Sequence, residues 1–358
     1  MNKDAPHLPN KACRVDTYYR LQNIKWILLF AVFAFVAGGT SAVMVSSWLM
    51  PSFEQVDFTV QDVNNQNIWN ARPDSLLKKQ FEQRLLTIYD RRKQVEDNIY
   101  REDAVVAQAT IISSDGWAVI SLPDFISGEQ KYWEILDYQN VSYDLENLIY
   151  DKLAQVYYLK IEANGLRVVS FANPKDFGIN STVWSLNKDK WSQVVVKDFT
   201  ARSSAVSRYI YQPSFSWKFS EEIIPGDILL DNNGNLVGLM DENNLVAFSW
   251  LIENQVSSLL ESGKLVYKNV PWNGYFVKTF DENNKVVSGF YINKIYTIQS
   301  KNSEIKVGDI VLKIDGEVVD EKNLSRQMWL VGDEFKVLVW RDGEEIDLTV
   351  NKENVPIN

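Results

Sequence analysis

The longest apolar segment of the chain is an uncharged run of 25 residues from Trp26 to Met50. About 20 apolar residues are enough for a helix to cross the hydrocarbon core of a bilayer, so the run predicts a transmembrane helix over 26–50. Lysine and arginine are frequent in residues 1–25, whereas none follows the run before Arg72. Since positive residues favour the cytoplasmic side, we expect a cytoplasmic tail over 1–25 and an exported remainder.

A cleaved signal peptide is the alternative interpretation of this segment. Thr40-Ser41-Ala42 resembles a cleavage site. The charged region before the run is long, however, and the run itself exceeds the apolar core of an ordinary signal peptide. These two features favour an uncleaved anchor.

Residues 51–82 are predicted to be a linker that leads into a helix. The stretch 51–72 is rich in Asn, Gln and Asp, and Pro73-Asp74-Ser75 is typical of a helix start. Apolar residues then recur at helical spacing, at Leu77, Phe81, Leu85, Ile88 and Val95. A first strand beginning at Leu85 explains the later positions equally well.

Short apolar segments separated by turn residues predict a β-rich domain over 83–263. Two hairpins are indicated by Ser114-Asp115-Gly116 and by Asp231-Asn232-Asn233-Gly234. Regularly spaced short strands of this kind are typical of a barrel or a sandwich. The strands are predicted at Val105–Ile112, Trp117–Ser121, Val156–Ile161, Thr182–Leu186, Gln193–Val196, Ile228–Leu230, Leu236–Met240 and Val246–Trp250. A helix over Gln255–Leu260, closed by Gly263, is predicted to end the domain.

A second, α+β domain is predicted over 264–354. Its pattern indicates a strand at Ile310–Ile314 and a helix at Asp320–Leu330. Two further strands, Phe335–Trp340 and Ile346–Val350, flank Asp342-Gly343, a pair of residues typical of a tight hairpin.

Composition excludes several kinds of function. The net charge is −10, so the chain has no electrostatic footprint for nucleic acid. The single histidine, His7, and the single cysteine, Cys13, both lie in the predicted cytoplasmic tail. The exported part therefore has no disulfide and no histidine or cysteine ligands for a metal. No motif for a cofactor is present, and we predict neither a cofactor nor a metal.

Several segments resemble the membrane-anchored HtrA/DegP-type serine proteases, in the order in which that family has them. The family combines a trypsin-like double β-barrel with a C-terminal PDZ domain. Similar to the barrels are AQATIISSDGWAVISLPDFI (107–126), VYYLKI (156–161), Asn173–Leu186 and IIPGDILLDNNGNLVGL (223–239). Similar to the PDZ domain are EIKVGDIVLKIDGEVV (304–319) and VLVWRDGEEIDLTV (337–350). The resemblance implies a bacterial-type plasma-membrane protein, with 83–263 trypsin-like, 264–354 a PDZ domain, and a homotrimer.

The catalytic residues of that family are not retained. Asp124 stands where the family has its histidine, Gln155 where it has its aspartate, and Pro225 where an ungapped alignment puts its serine. If the alignment is fixed on Pro225-Gly226 instead, a short deletion removes the serine. A serine hydroxyl needs a base to take its proton, and the exported part contains no histidine. Proline also removes an N–H that would bind an oxyanion. A Ser–Lys pair, such as Ser220 with Lys218, is a weak alternative because such pairs are frequent by chance.

A peptide-binding groove is implied by the PDZ resemblance. Such domains add an extended peptide to a strand and hold its terminal carboxylate with backbone N–H groups. The corresponding residues are Tyr275, Phe276 and Val277 on a strand, with Leu324 and Met328 on the facing helix. The family usually has glycine where Val277 stands. The alternative is that Phe276, Leu324 and Met328 only fill the core.

The sequence therefore predicts a single-pass, catalytically inactive HtrA-like pseudoprotease. Its PDZ domain would bind exported polypeptides or partner C-termini, as a scaffold, adaptor or quality-control component. Two alternatives remain: an active serine endopeptidase with a non-standard nucleophile, and a PDZ-containing subunit of an envelope secretion machine.

Overall fold

The computed structural model describes residues 73–96, 99–202, 207–280, 284, 286–296 and 304–355, and these form a mainly β protein with few helices. The predicted tail 1–25, the anchor 26–50 and the residues 51–72 of the linker lie outside the described residues. Within the described part, none of the helices has both the length and the apolar character needed to cross a bilayer.

The first described element is helix α1, Ser75–Glu82. The Asp74 carboxylate caps it by accepting a hydrogen bond from the Leu76 N–H, which is one of the N–H groups that a helix start leaves unpaired. The helix ends at Glu82, and the apolar residues from Leu85 onwards form strand β1 instead. The alternative of a first strand at this position is confirmed.

The first sheet has seven antiparallel strands in the order β7-β6-β1-β4-β5-β9-β8. In β5 all four residues are buried, because the two faces of the strand pack against different cores. Its strands are β1 Leu85–Asp90, β4 Val105–Ile111, β5 Trp117–Ile120, β6 Trp133–Leu136, β7 Ser142–Tyr143, β8 Leu145–Asp151 and β9 Val156–Ile161. A separate small hairpin pairs β2 Gln94–Glu96 with β3 Ile99–Tyr100.

The second sheet has six strands in the order β13-β11-β10-β14-β15-β16. They are β10 Thr182–Asn187, β11 Lys190–Ala201, β13 Phe215–Phe219, β14 Ile228–Leu230, β15 Leu236–Met240 and β16 Val246–Phe248. Helix α2, Ser249–Ser262, follows directly, so it begins inside the strand predicted at Val246–Trp250. Gly263 ends the helix with a left-handed backbone, φ 64°, as predicted. Two antiparallel sheets of this size are consistent with the barrels of a trypsin-like domain.

A third sheet has the order β12-β18-β19-β20-β22-β23, with β21 paired to β20. Its strands are β12 Arg208–Tyr209, β18 Trp272–Phe280, β19 Val286–Ile295, β20 Ile310–Ile314, β21 Glu317–Val318, β22 Glu334–Arg341 and β23 Glu344–Asn351. Helix α3 is Leu324–Leu330, shorter than the predicted 320–330. A two-stranded ladder joins β17 Lys268–Asn269 to β24 Glu353–Asn354.

The hydrophobic core is divided into two clusters. The smaller one fills one face of the first sheet and includes Leu86, Ile120 and Leu159. The larger one covers the opposite face of that sheet and continues without a break through the second and third sheets. The second and third sheets are therefore packed together through apolar side chains.

Candidate functional site

A cleft of about 520 Å³ is lined by residues of the first and second sheets and their loops. The first sheet contributes β4, from Val105 to Gln108, and the loop after β5, from Ser121 to Phe125. The second sheet contributes the end of β10 and the segment that leads into β14, with Ile224, Pro225 and Gly226. A cleft of this volume has the size of an ordinary ligand site.

Two of the three predicted catalytic-position residues lie in this cleft. Asp124 and Pro225 line it together, although they are about 100 residues apart in the sequence. Gln155 is not among the described lining residues. It lies in the turn between β8 and β9, with φ 57°, and its Oε1 accepts a hydrogen bond of 2.7 Å from Asn243 Nδ2.

The segment around Pro225 has few N–H groups to offer a ligand. Proline itself has none. The Gly226 N–H donates to Met240 O at 3.0 Å, and the Asp227 N–H donates to Ile224 O at 3.2 Å. The N–H groups next to the predicted nucleophile position are thus bound within the protein, and they cannot stabilise an oxyanion without breaking these bonds.

The buried Asp227 carboxylate holds the segment around Pro225 in place. It accepts a hydrogen bond of 2.5 Å from Ser185 Oγ and one of 2.6 Å from Asn187 Nδ2. Both donors lie on β10, so the carboxylate ties the segment before β14 to its neighbouring strand. This is a structural role, because both carboxylate oxygens already accept hydrogen bonds inside the fold.

Ser121 is the one serine among the described residues that line the cleft, and the sequence did not single it out. Only 2% of its surface is exposed, and its Oγ has no hydrogen-bond partner among the described residues. A nucleophilic serine needs a base within hydrogen-bond reach, and none contacts this hydroxyl. No local motif distinguishes Ser121 from other serines that follow a strand.

Two acidic residues of the cleft, Asp90 and Glu129, are bound to Arg92. Asp90 is held by Arg92, whose guanidinium donates hydrogen bonds of 2.9 Å and 2.8 Å to its two oxygens. These bonds lower the pKa of Asp90, although burial opposes them, so its carboxylate is a weak base. Glu129 accepts a hydrogen bond of 3.2 Å from the same guanidinium.

The predicted peptide-binding residues are divided between a groove and the core. A groove of about 360 Å³ is lined by Phe276 and Val277 of β18 and by residues 319–321 before α3. The Tyr275 ring packs against Tyr291, with the ring centroids 5.4 Å apart. Leu324 and Met328 are buried, with 2% and 0% exposed, which is the placement expected of core residues. Their contact with a peptide stays a prediction.

The β18 strand presents an open edge beside this groove. On one side it pairs with β19 from Trp272 to Phe280. On the other side only Asn273 and Gly274 are paired, with β12. Among the described residues no strand pairs with this second side from Tyr275 onwards. An unpaired strand edge is a template for an added strand.

No protein-family model matches the chain, and no curated protein matches its sequence. The structure is similar to solved structures of HtrA-type serine proteases at low identity. One, described as HtrA-type protease AlgW with decapeptide, is 12% identical, has a TM-score of 0.49, and covers 79% of this chain and 98% of its own. Another, the serine endoprotease from Yersinia pestis, is 15% identical, has a TM-score of 0.44, and covers 80% of this chain and 100% of its own.

Proposed function

We propose that this protein is a membrane-anchored, catalytically inactive HtrA-like pseudoprotease that binds polypeptides through a C-terminal PDZ domain. It would act on exported polypeptides or partner proteins as a scaffold, adaptor or quality-control component. The homotrimer implied by the resemblance belongs to the same proposal.

The observation that carries the inactivity is the state of the cleft. Pro225, at the predicted nucleophile position, lines the cleft, and the N–H groups of the two residues after it donate to Met240 and Ile224. The one lining serine, Ser121, contacts no base among the described residues. The described residues of the cleft therefore offer neither an activated nucleophile nor an oxyanion site, and these two features supply most of the rate of a serine protease.

The open edge of β18 supports the binding role. An added strand obtains main-chain hydrogen bonds along the edge, and its side chains reach the groove beside it. Phe276 packs edge-to-face on Phe290, with centroids 5.8 Å apart, so the floor of the groove is anchored in the core. A groove floor that is already packed in place loses little entropy when a peptide binds.

The test of this function uses purified full-length protein in detergent micelles. We expect no covalent labelling by a fluorophosphonate probe and no degradation of casein. Pro225→Ser restores a hydroxyl but neither a base nor free N–H groups, so it is expected to remain inactive too. Serine-specific labelling that is lost in Ser121→Ala would overturn the proposal.

A further inference from the structure

The chain segment that connects β11 to β13 contributes a strand to the third sheet. Strand β12 belongs to the chain between β11 and β13, yet it pairs antiparallel with β18, Arg208 opposite Gly274 and Tyr209 opposite Asn273. The Ile210 N–H continues the ladder by donating to Trp272 O at 3.0 Å. The trypsin-like part therefore supplies an edge strand to the sheet that holds the groove.

The direction of β12 determines which of its residues meets the groove. Because the pairing is antiparallel, β12 begins next to the open stretch of β18 and runs away from it. A peptide that adds antiparallel to the stretch from Tyr275 to Phe280 has its C-terminal end at Tyr275. That end lies beside Arg208, the first residue of β12.

The charge of Arg208 is incompletely compensated in the fold. Its nearest carboxylate oxygen is Glu321 Oε1, 3.7 Å from Nη2, which is too far for a good hydrogen bond. Nη2 is buried and has no hydrogen-bond partner among the described residues. Burial lowers the pKa of Arg208, and Glu321 opposes this only in part. A partly buried guanidinium with an unfilled donor favours a carboxylate.

The same arginine favours one orientation of the bound peptide. Glu321 lines the groove, and Arg208 lies 3.7 Å from it and opposite Gly274, the residue before the open stretch of β18. In the antiparallel orientation a C-terminal carboxylate approaches the guanidinium. In the parallel orientation a positive N-terminal ammonium would approach it instead, and like charges repel.

We propose that Arg208 binds the C-terminal carboxylate of a peptide that adds antiparallel to β18, taking the place of Glu321. This inference rests on the proposed function, since it concerns the same groove. It assigns carboxylate recognition to a side chain of the trypsin-like part. The ligand class is then an extended polypeptide with a free C-terminus.

The test measures fluorescence anisotropy with the full-length protein. A library of fluorescein-labelled octapeptides with free carboxyl ends identifies the tightest ligand, which is then compared as free acid and as C-terminal amide. We expect the wild type to bind the acid at least about tenfold more tightly, as a charge-assisted hydrogen bond allows. Arg208→Gln should abolish this difference, and Arg208→Lys should keep part of it.

Glu321→Gln is expected to change the affinity for the free-acid peptide in the opposite direction from Arg208→Gln. It frees Arg208 from its competing carboxylate, so the acid should bind several-fold more tightly while the amide is unaffected. Arg101→Gln is the matched control: it removes an exposed arginine that lines neither the cleft nor the groove, and the ratio of acid to amide affinity should not change. Urea midpoints of each variant verify that it is folded.

The results distinguish a failure of the Arg208 assignment from a failure of peptide binding itself. If acid and amide bind the wild type equally, or if Arg208→Gln keeps the difference, the inference is wrong while peptide binding at β18 stands. If Arg208→Gln and Glu321→Gln shift affinity in the same direction, the pair only holds β12 in place and the inference is again wrong. If no peptide binds the wild type, both the inference and the proposed binding role are wrong.

Discussion

At the scale of residues, the proposed inactivity depends on a few atoms around the cleft. Pro225 removes one N–H, and the fold uses the next two, of Gly226 and Asp227, for its own turn. Substituting one side chain does not reverse this, because the missing donors belong to the backbone. The sequence predicted that a histidine base and the N–H group at position 225 are absent. It did not predict that the Gly226 N–H donates to Met240, because no local pattern specifies where Met240 lies.

A buried lysine provides a pH-dependent prediction at the same scale. Burial lowers the pKa of Lys352 to about 8, and its Nζ donates to Val331 O at 2.7 Å. An unfolded lysine has a pKa of about 10.4, so the unfolded chain binds the proton more tightly. The free energy of unfolding should therefore rise as the pH increases from about 8 to about 10.

Lys352→Met removes the cost of burying this ammonium group. At pH 7 we expect the variant to be more stable by about 1 kcal/mol, less than the full pKa shift implies because the group is partly solvated. The advantage should disappear by about pH 10. Urea titrations at both values measure it, with exposed Lys336→Met as the control; a constant difference at the two pH values would contradict the account.

At the scale of elements, hairpins with strong turn residues were predictable, whereas the edge strands β8 and β12 were not. Val156–Ile161, Ile228–Leu230, Leu236–Met240 and Ile310–Ile314 have the predicted bounds, which are confirmed. Gly116 illustrates why: its φ is 105°, and a Cβ there would lie 2.2 Å from Ile161 O, so the turn requires glycine. β8 and β12, by contrast, lie at sheet edges and carry polar residues, so their pattern is not apolar enough to predict a strand. β12 is a strand only because it pairs with β18 of the third sheet.

The connection made by β12 gives a prediction for this scale. Tyr211, fully buried, packs edge-to-face on Trp329 with centroids 6.1 Å apart, and its carbonyl accepts a hydrogen bond of 2.9 Å from Trp329 Nε1. Tyr211→Ala should lower the free energy of unfolding by about 3 kcal/mol, because a large ring is lost from a packed core. The exposed Tyr138→Ala is the control. A loss below about 1 kcal/mol in Tyr211→Ala, measured by urea unfolding, would show that β12 is not anchored by this ring.

At the scale of the whole molecule, the sequence predicted a mainly β protein, and the structure confirms this. It did not predict that one apolar core continues through the second and third sheets. This continuity arises from contacts between residues distant in the chain, such as Tyr211 and Trp329. The periodicity of apolar residues could not predict it, because it shows only which face of one element is buried. The same long-range packing brings Arg208 Nη2 to 3.7 Å from Oε1 of Glu321, which lines the groove.

The protein is proposed to bind a polypeptide without cutting it. The most direct measurement is the mass of a bound octapeptide, recovered after prolonged incubation at neutral pH with full-length protein in excess. We expect the intact mass alone, with binding verified by anisotropy in the same sample. Fragments from hydrolysis of a peptide bond, absent when Ser121 or another single side chain is replaced, would contradict the account.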